Sequence, residues 1–399
     1  MTRRRKGLFV GVLLAAAAVA TTIFAGTTAA RTSAKKPIII GAAMDFTANM
    51  SPYDTPAFYA AQVRVKQINA KGGVLGRQLV IRKCDHQLKK QKECAAKLIG
   101  QGAVVGMVTC DVEYAAPATQ EFINRGVLAL SPCIGTDQQG PKRFGTKGKL
   151  AFTFGNIAQD EGAAMAEYAK SRGWKTAIVV KDDLLAYFQN VADSFDQRFR
   201  QLGGKVVERE SFKSFSNTIG PVITKVSRTK ADVICFVTAF TDLPTFVSGL
   251  RSLGNKTPII NSWGGDGNYW WTKSPKVTNY YYVTYGSLYG DDPVRAVNTL
   301  VKQVKQLNGG KLPATGSFIP GADLIDGLAA AIRKTKSTNG ATLANALQRF
   351  RNFRATSGKI RFTASQHGVT HRAYRVMLVN NNKAKFVKLW VTKKVASIG

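Results

Sequence analysis

Histidine is nearly absent from this chain. His86, His367 and His371 are the three in 399 residues. No Gly-x-Ser-x-Gly elbow occurs, and Ser131 is followed by Pro132 with no histidine placed to activate it. A serine or cysteine nucleophile needs an identifiable base, so hydrolase chemistry of that kind has no support in the sequence. Asp182 and Asp183 are adjacent, and in an extended segment their side chains diverge, which leaves no evident acid/base pair. No CxxC pair is present, so a structural zinc site has no support. The glycine-rich stretch "INAKGGVLGRQL" (68–79) is not followed by Gly-Lys-Ser/Thr. Its glycines come after a helix and before a strand, the reverse of a phosphate-binding loop, so they read as punctuation. The expectation is a protein that is not an enzyme and needs no cofactor or metal.

Acidic residues are also scarce: 24 against 57 Lys and Arg, a formal net charge of +33 at pH 7. The cations are scattered along helices with no basic run beyond the amino terminus, which argues against nucleic acid as a partner. A surface this basic is expected to favour peripheral association with anionic cell-wall polymers or lipid headgroups. The first residues, "MTRRRKGLFVGVLLAAAAVATTIFAGTTAA", combine a basic start, an apolar stretch from about Gly7 to Ala25 and small residues. That is an export signal, residues 1–34, with cleavage expected after Ala30 or Ala34. Left uncut, its apolar stretch of about 20 residues is long enough to span a bilayer. Five cysteines in an exported chain imply disulfides. Cys84, Cys94, Cys110 and Cys133 are expected to form two bridges in any of three pairings, with Cys235 a buried free thiol.

What is abundant is a repeating unit. A short apolar run leads into an amphipathic stretch of about 10–15 residues closed by glycine, which predicts parallel sheets covered on both faces by helices. The strands read as "IIIGAAM", "QLVIRKC", "AVVGMVTC", "VLALSPC", "TAIVVKD", "KVVERESF", "DVICFVTAF" and "TPIINSW". For the first helix, Asp54 or Thr55 is expected to cap and Pro56 to occupy the first turn. Phe58, Ala61, Val65 and Ile68 then share its buried face, and Gly72 or Gly73 ends it.

The order of these segments resembles the type I periplasmic binding proteins of the branched-chain amino-acid transport kind. The resemblance runs from about residue 37 to the end. It rests on "DTPAFYAAQVRVKQINAKGGVLGRQLVI", on "LIGQGAVVGMVTC" with "PATQEFINRGVLALSPC", and on "TAIVVKDDLLAYFQNVADSFDQRFRQLGGKVV". "FVSGLRSLGNKTPIINSWGG" and "YRVMLVNNNKAKFVKL" add to it. It implies an α/β fold of two doubly wound, Rossmann-like lobes joined by three crossover strands. The crossings would fall near 154–159, 283–287 and 360–363. Lobe one would be 37–154 plus 286–361, and lobe two 155–285 plus 362–399.

Ligands of open parallel sheets bind outside the carboxyl ends of the strands, so the loops there are the candidate site. By resemblance, Tyr187 matches a cleft tyrosine and Tyr53 an aromatic cap. Ile134, Gly135 and Thr136 stand where the family holds a ligand carboxylate, and Asp111 to Tyr114 replace a serine-rich stretch with the same role. Phe240 stands for a second tyrosine. The family's acid for a ligand ammonium would fall near Trp263 or Gly264, neither of which can serve; Asp266 is the nearest substitute. An unpaired buried ammonium is costly, so the missing acid weighs against an amino acid as ligand. Tyr53, Tyr114, Tyr187, Phe240 and Trp263 together suit an apolar or aromatic small molecule. Trp270, Trp271 and the "YYYV" run read as core, and Asp45 either anchors a polar group or caps the turn after the first strand.

The implied function is capture of a small molecule, an amino acid or related apolar or aromatic compound, for delivery to an ABC permease. The alternative is a ligand-sensing cell-surface receptor built on the same clamshell.

Overall fold

The computed structural model describes residues 35–398; the export signal expected at 1–34 lies outside them. The first sheet holds β1 (Ile38–Met44), β2 (Leu79–Asp85), β3 (Val105–Val108), β4 (Leu128–Ser131) and β5 (Ala151–Thr153), in the order β2-β1-β3-β4-β5. All its pairings are parallel. The helices α1 (Ser51–Asn69), α2 (Gln91–Gly100) and α3 (Val112–Asn124) follow the first three strands, and a single turn, α4 (Pro141–Phe144), precedes β5.

The chain then enters α5 (Ala158–Ser171) and a seven-stranded sheet. Its members are β6 (Thr176–Asp182), β7 (Lys205–Phe212), β8 (Val233–Val237), β9 (Ile259–Asn261) and β10 (Tyr280–Thr284), interleaved with α6 (Ala186–Gln201), α7 (Ile219–Arg228) and α8 (Asp242–Ser252). From β10 it returns through α9 (Arg295–Leu307) and α10 (Ile319–Thr335), both packed on α1. After α11 (Gly340–Leu347) and a ribbon of β11 (Phe353–Arg354) and β12 (Lys359–Ile360), β13 (Tyr374–Asn380) and β14 (Lys383–Trp390) complete the second sheet.

The parallel expectation holds for β6 to β10 and fails at one edge, where β13 and β14 are antiparallel. Asn381 and Asn382, both at positive φ (51° and 58°), make the two-residue turn that pairs them. Such a turn matches strand twist and brings consecutive strands antiparallel. The first helix also starts earlier than its sequence suggests. Ser51 opens it with Pro52 in the first turn, and Pro56 lies inside. Asp54 is not its cap: its carboxylate accepts from Asp45 N at 2.8 Å, Cys110 N at 2.9 Å and the Thr109 hydroxyl. Asp45 does the local capping, accepting from Thr47, Ala48 and Met50 N–H. Phe58, Ala61 and Ile68 are buried and Val65 half-buried, and Gly72 and Gly73 both take the positive φ that ends the helix.

The bridges are Cys84–Cys94 and Cys110–Cys133, with Cys235 free and buried on β8. Cys110–Cys133 ties the loop after β3 to the loop after β4.

Three segments run between the sheets, and one buried arginine joins them. Arg372 donates to Phe154 O at 2.7 Å and to Ser357 Oγ at 2.9 Å, and lies 4.5 Å over the Tyr285 ring. Tyr285 in turn accepts from Asn156 N at 3.0 Å. Arg375 pairs with Asp292 at 2.9 Å close by. Among the described residues no helix is long and apolar enough to cross a membrane.

Candidate functional site

In both sheets the strand order reverses next to the first strand, between β1 and β3 and between β6 and β8. The loops beyond those carboxyl ends diverge and leave a crevice. Here the two crevices face each other. Tyr53, in the first turn of α1, reaches across to donate to Gly264 O at 2.5 Å. From the far side, the Tyr187 ring lies on Gly135: a methyl added at Gly135 would meet its Cε2 and, at 2.6 Å, its Cδ2, with Trp263 Nε1 3.3 Å away.

Rings pack in a chain across the junction. Tyr53 to Trp263 is 5.5 Å between centroids, Trp263 to Tyr187 5.1 Å, and Tyr187 to Phe188 5.6 Å. These spacings are those of favourable edge and tilted pairs. They enclose a cavity of ≈ 20 Å³, room for about one water. Of the residues expected from the sequence, Tyr53, Asp111, Tyr187, Phe240 and Trp263 line it. Met50, Cys110, Leu185, Phe188, Ala239 and Gly264 line it too; each flanks a residue or loop already singled out, and none carries a separate sequence signal.

The other candidates lie further off. Ile134 is fully buried and binds through its backbone: its N–H reaches Ser131 Oγ at 3.1 Å and its carbonyl accepts from Thr153 Oγ1 at 2.8 Å. Thr136 is buried with its hydroxyl unpartnered. Tyr114 is half-buried on α3 and does not line the cavity. Asp266, the substitute acid, points elsewhere: Oδ2 accepts from Thr284 Oγ1 at 2.5 Å and Gly316 N at 2.8 Å. Burial pushes it up to about 8. Asp111 has two roles, since it lines the cavity and also caps α3, accepting from Glu113 N at 3.0 Å and Tyr114 N at 3.2 Å. Burial, then the neighbouring Glu113, holds its carboxyl well above the usual carboxylate range.

The residue that sequence reasoning missed is Glu161. It sits in the first turn of α5, fully buried behind the cavity rather than lining it, and hydrogen-bonds the Trp263 backbone and the Tyr187 hydroxyl. Oε1 accepts from Trp263 N at 2.7 Å and Oε2 from Tyr187 OH at 2.8 Å. Burial pushes its carboxyl up to about 8, against the downward pull of those two hydrogen bonds. An acid thus stands beside Trp263 after all, supplied by a helix 102 positions away. Two buried donors remain unpartnered nearby, Trp263 Nε1 and Thr136 Oγ1. None of the histidines lines the cavity, and His367 is stacked on Phe152 at 3.9 Å.

Two α/β layers face each other across a ring-lined cavity backed by a buried acid, the architecture of a small-molecule binding protein of the clamshell kind. The chain belongs to the periplasmic binding protein family, whose model matches residues 37–384. Among its relatives is the Leu/Ile/Val-binding protein BraC3 of Rhizobium johnstonii, 26% identical over 236 residues. That alignment covers 58% of this chain and 61% of the relative, less than two thirds of its length. Among solved structures, LivJ of Streptococcus pneumoniae in complex with isoleucine has a TM-score of 0.76 at 20% identity. The match covers 88% of this chain and 99% of that one. A solute-binding protein from Rhodopseudomonas palustris BisB5 in complex with 3,4-dihydroxybenzoic acid has a TM-score of 0.75 at 15% identity, covering 90% and 98%. Both share the type I fold of this chain.

Proposed function

We propose that this chain is an exported solute-binding protein that closes on an amino acid with an apolar or aromatic side chain and hands it to an ABC permease. The lobes that close are residues 37–154 with 286–361 and residues 155–285 with 362–399. The observation that carries the reading is Glu161, a buried carboxyl group without a cationic partner, hydrogen-bonded to the Tyr187 hydroxyl and the Trp263 backbone N–H. A ligand ammonium entering beside these rings finds the acid it needs and gains cation–π attraction from the ring faces. Trp263 Nε1 and Thr136 Oγ1 are free to donate to its carboxylate. BraC3 is named for Leu, Ile and Val, in keeping with this chemistry. The strong positive charge suits a protein held loosely against an anionic envelope.

Isothermal titration against amino acids and aromatic acids tests the reading. One amino acid is expected to bind one to one. Tyr187→Ala and Trp263→Ala are each expected to weaken it by about 1–3 kcal/mol through lost apolar contact. Unchanged affinity in both variants would mean that the ligand binds elsewhere.

A further inference from the structure

The cavity of ≈ 20 Å³ has room for about one water, so a ligand head enters it only as the rings part and no tail fits inside it. Directly outside it lies a groove of ≈ 340 Å³, bounded by Pro52 on one half and by Phe215, Phe240, Pro244 and Tyr269 on the other. The two compartments share Phe240 as a wall. They are also joined by hydroxyls: Tyr53, which lines the inner one, lies 2.9 Å from Tyr269 OH in the outer one.

The groove's aromatics are placed at a cost. Phe215 and Phe240 have φ of 66° and 55°. A bulky residue in the left-handed region carries backbone strain that Gly or Asn largely avoids. Their rings pack together at 5.3 Å, and Phe240 continues to Phe188 at 6.0 Å. Yet Phe215 is 50% exposed and Tyr269 42% exposed, so core packing does not account for keeping them. Strain together with exposure at the lip of a cleft points to a binding role.

From this we infer that the ligand is longer than the inner cavity. Its head lies between Tyr53 and Tyr187, and an apolar, aryl-bearing tail lies in the outer groove against Phe215, Phe240 and Tyr269. The inference rests on the cleft reading above and extends it to a class, aryl-alkyl compounds with a compact polar head.

The test is titration of the purified protein with two series. One carries an α-amino acid head (leucine, 2-amino-4-phenylbutyrate, 2-amino-6-phenylhexanoate) and the other a plain carboxylate head (benzoate, 4-phenylbutyrate). Within the series whose head binds, lengthening the tail is expected to raise affinity about tenfold or more. Phe215→Asn, which tolerates the left-handed backbone, is expected to bring the ratio of long-tail to short-tail affinity close to one, with the melting temperature maintained or raised. Leucine or benzoate binding with no gain on lengthening overturns the tail subsite and leaves the cleft reading standing. A gain that persists in Phe215→Asn places the tail elsewhere and likewise overturns it. Failure of every compound in both series overturns both readings.

Discussion

Gly135→Ala is expected to weaken ligand binding by at least about tenfold while leaving the fold intact. The reason lies in which atoms a Cβ would meet. The nearest are Cε2 and Cδ2 of Tyr187 and Nε1 of Trp263, all from the opposite half. The half that carries Gly135 therefore loses nothing, and the penalty falls on closure. Tyr187 cannot swing aside freely, because Glu161 accepts its hydroxyl at 2.8 Å and Trp263 packs against its ring at 5.1 Å. Forcing a methyl into such a contact costs about 1–3 kcal/mol. A ligand that binds only the closed form loses affinity by the fraction of closed form lost. Titration reads the affinity, and small-angle scattering should find the variant no more compact with ligand than without. Affinity equal to that of the parent protein would mean that Gly135 and Tyr187 do not meet in the bound state.

For an amino acid ligand, affinity is expected to rise with pH from about 6 to 8 by up to tenfold per unit and then level off. Glu161 titrates at about 8 in the free protein because burial disfavours its charge. An ammonium beside it favours the charged form, so binding must release its proton below that pH, and release becomes easier as pH rises. The groups facing Glu161 do not supply a competing cation: Asp160 and Asp266 raise it further, and Tyr187, Tyr285 and Tyr374 are neutral in this range, their own values raised first by burial. Glu161→Gln is expected to flatten the profile and to weaken binding at pH 8 most. An aromatic acid without an amine gives the opposite slope, since ionising Glu161 adds a repelling charge. A pH-independent Kd in the parent protein, or an unchanged profile in Glu161→Gln, would remove Glu161 from the site.

The strands and the closing glycines are legible in the sequence because each unit is local, with an apolar run, a periodic helix and a left-handed glycine within about thirty residues. The placing of Tyr187 and Trp263 beside the cavity is legible because position beyond a strand's carboxyl end is a local property, and that of Tyr53 through the resemblance of the first loop. The start of α1 misleads because two prolines, Pro52 and Pro56, both suit a first turn; Asp45 holds the preceding loop through the Thr47, Ala48 and Met50 amides, and Asp54 turns to Thr109 and Cys110. Glu161 is invisible locally. It opens an ordinary helix and meets Tyr187 and Trp263 only through the closing of the two layers, 26 and 102 positions along the chain. Phe215 is hidden likewise, because nothing in "KSFSN" announces a left-handed aromatic.

The central claim is most directly tested by a crystal structure of the protein with its best-binding compound. The account requires the compound's head between the rings of Tyr53 and Tyr187, within hydrogen-bond reach of Trp263 Nε1, and enclosed by both halves. A compound seated on an outer face, with those rings still packed on one another, would contradict it.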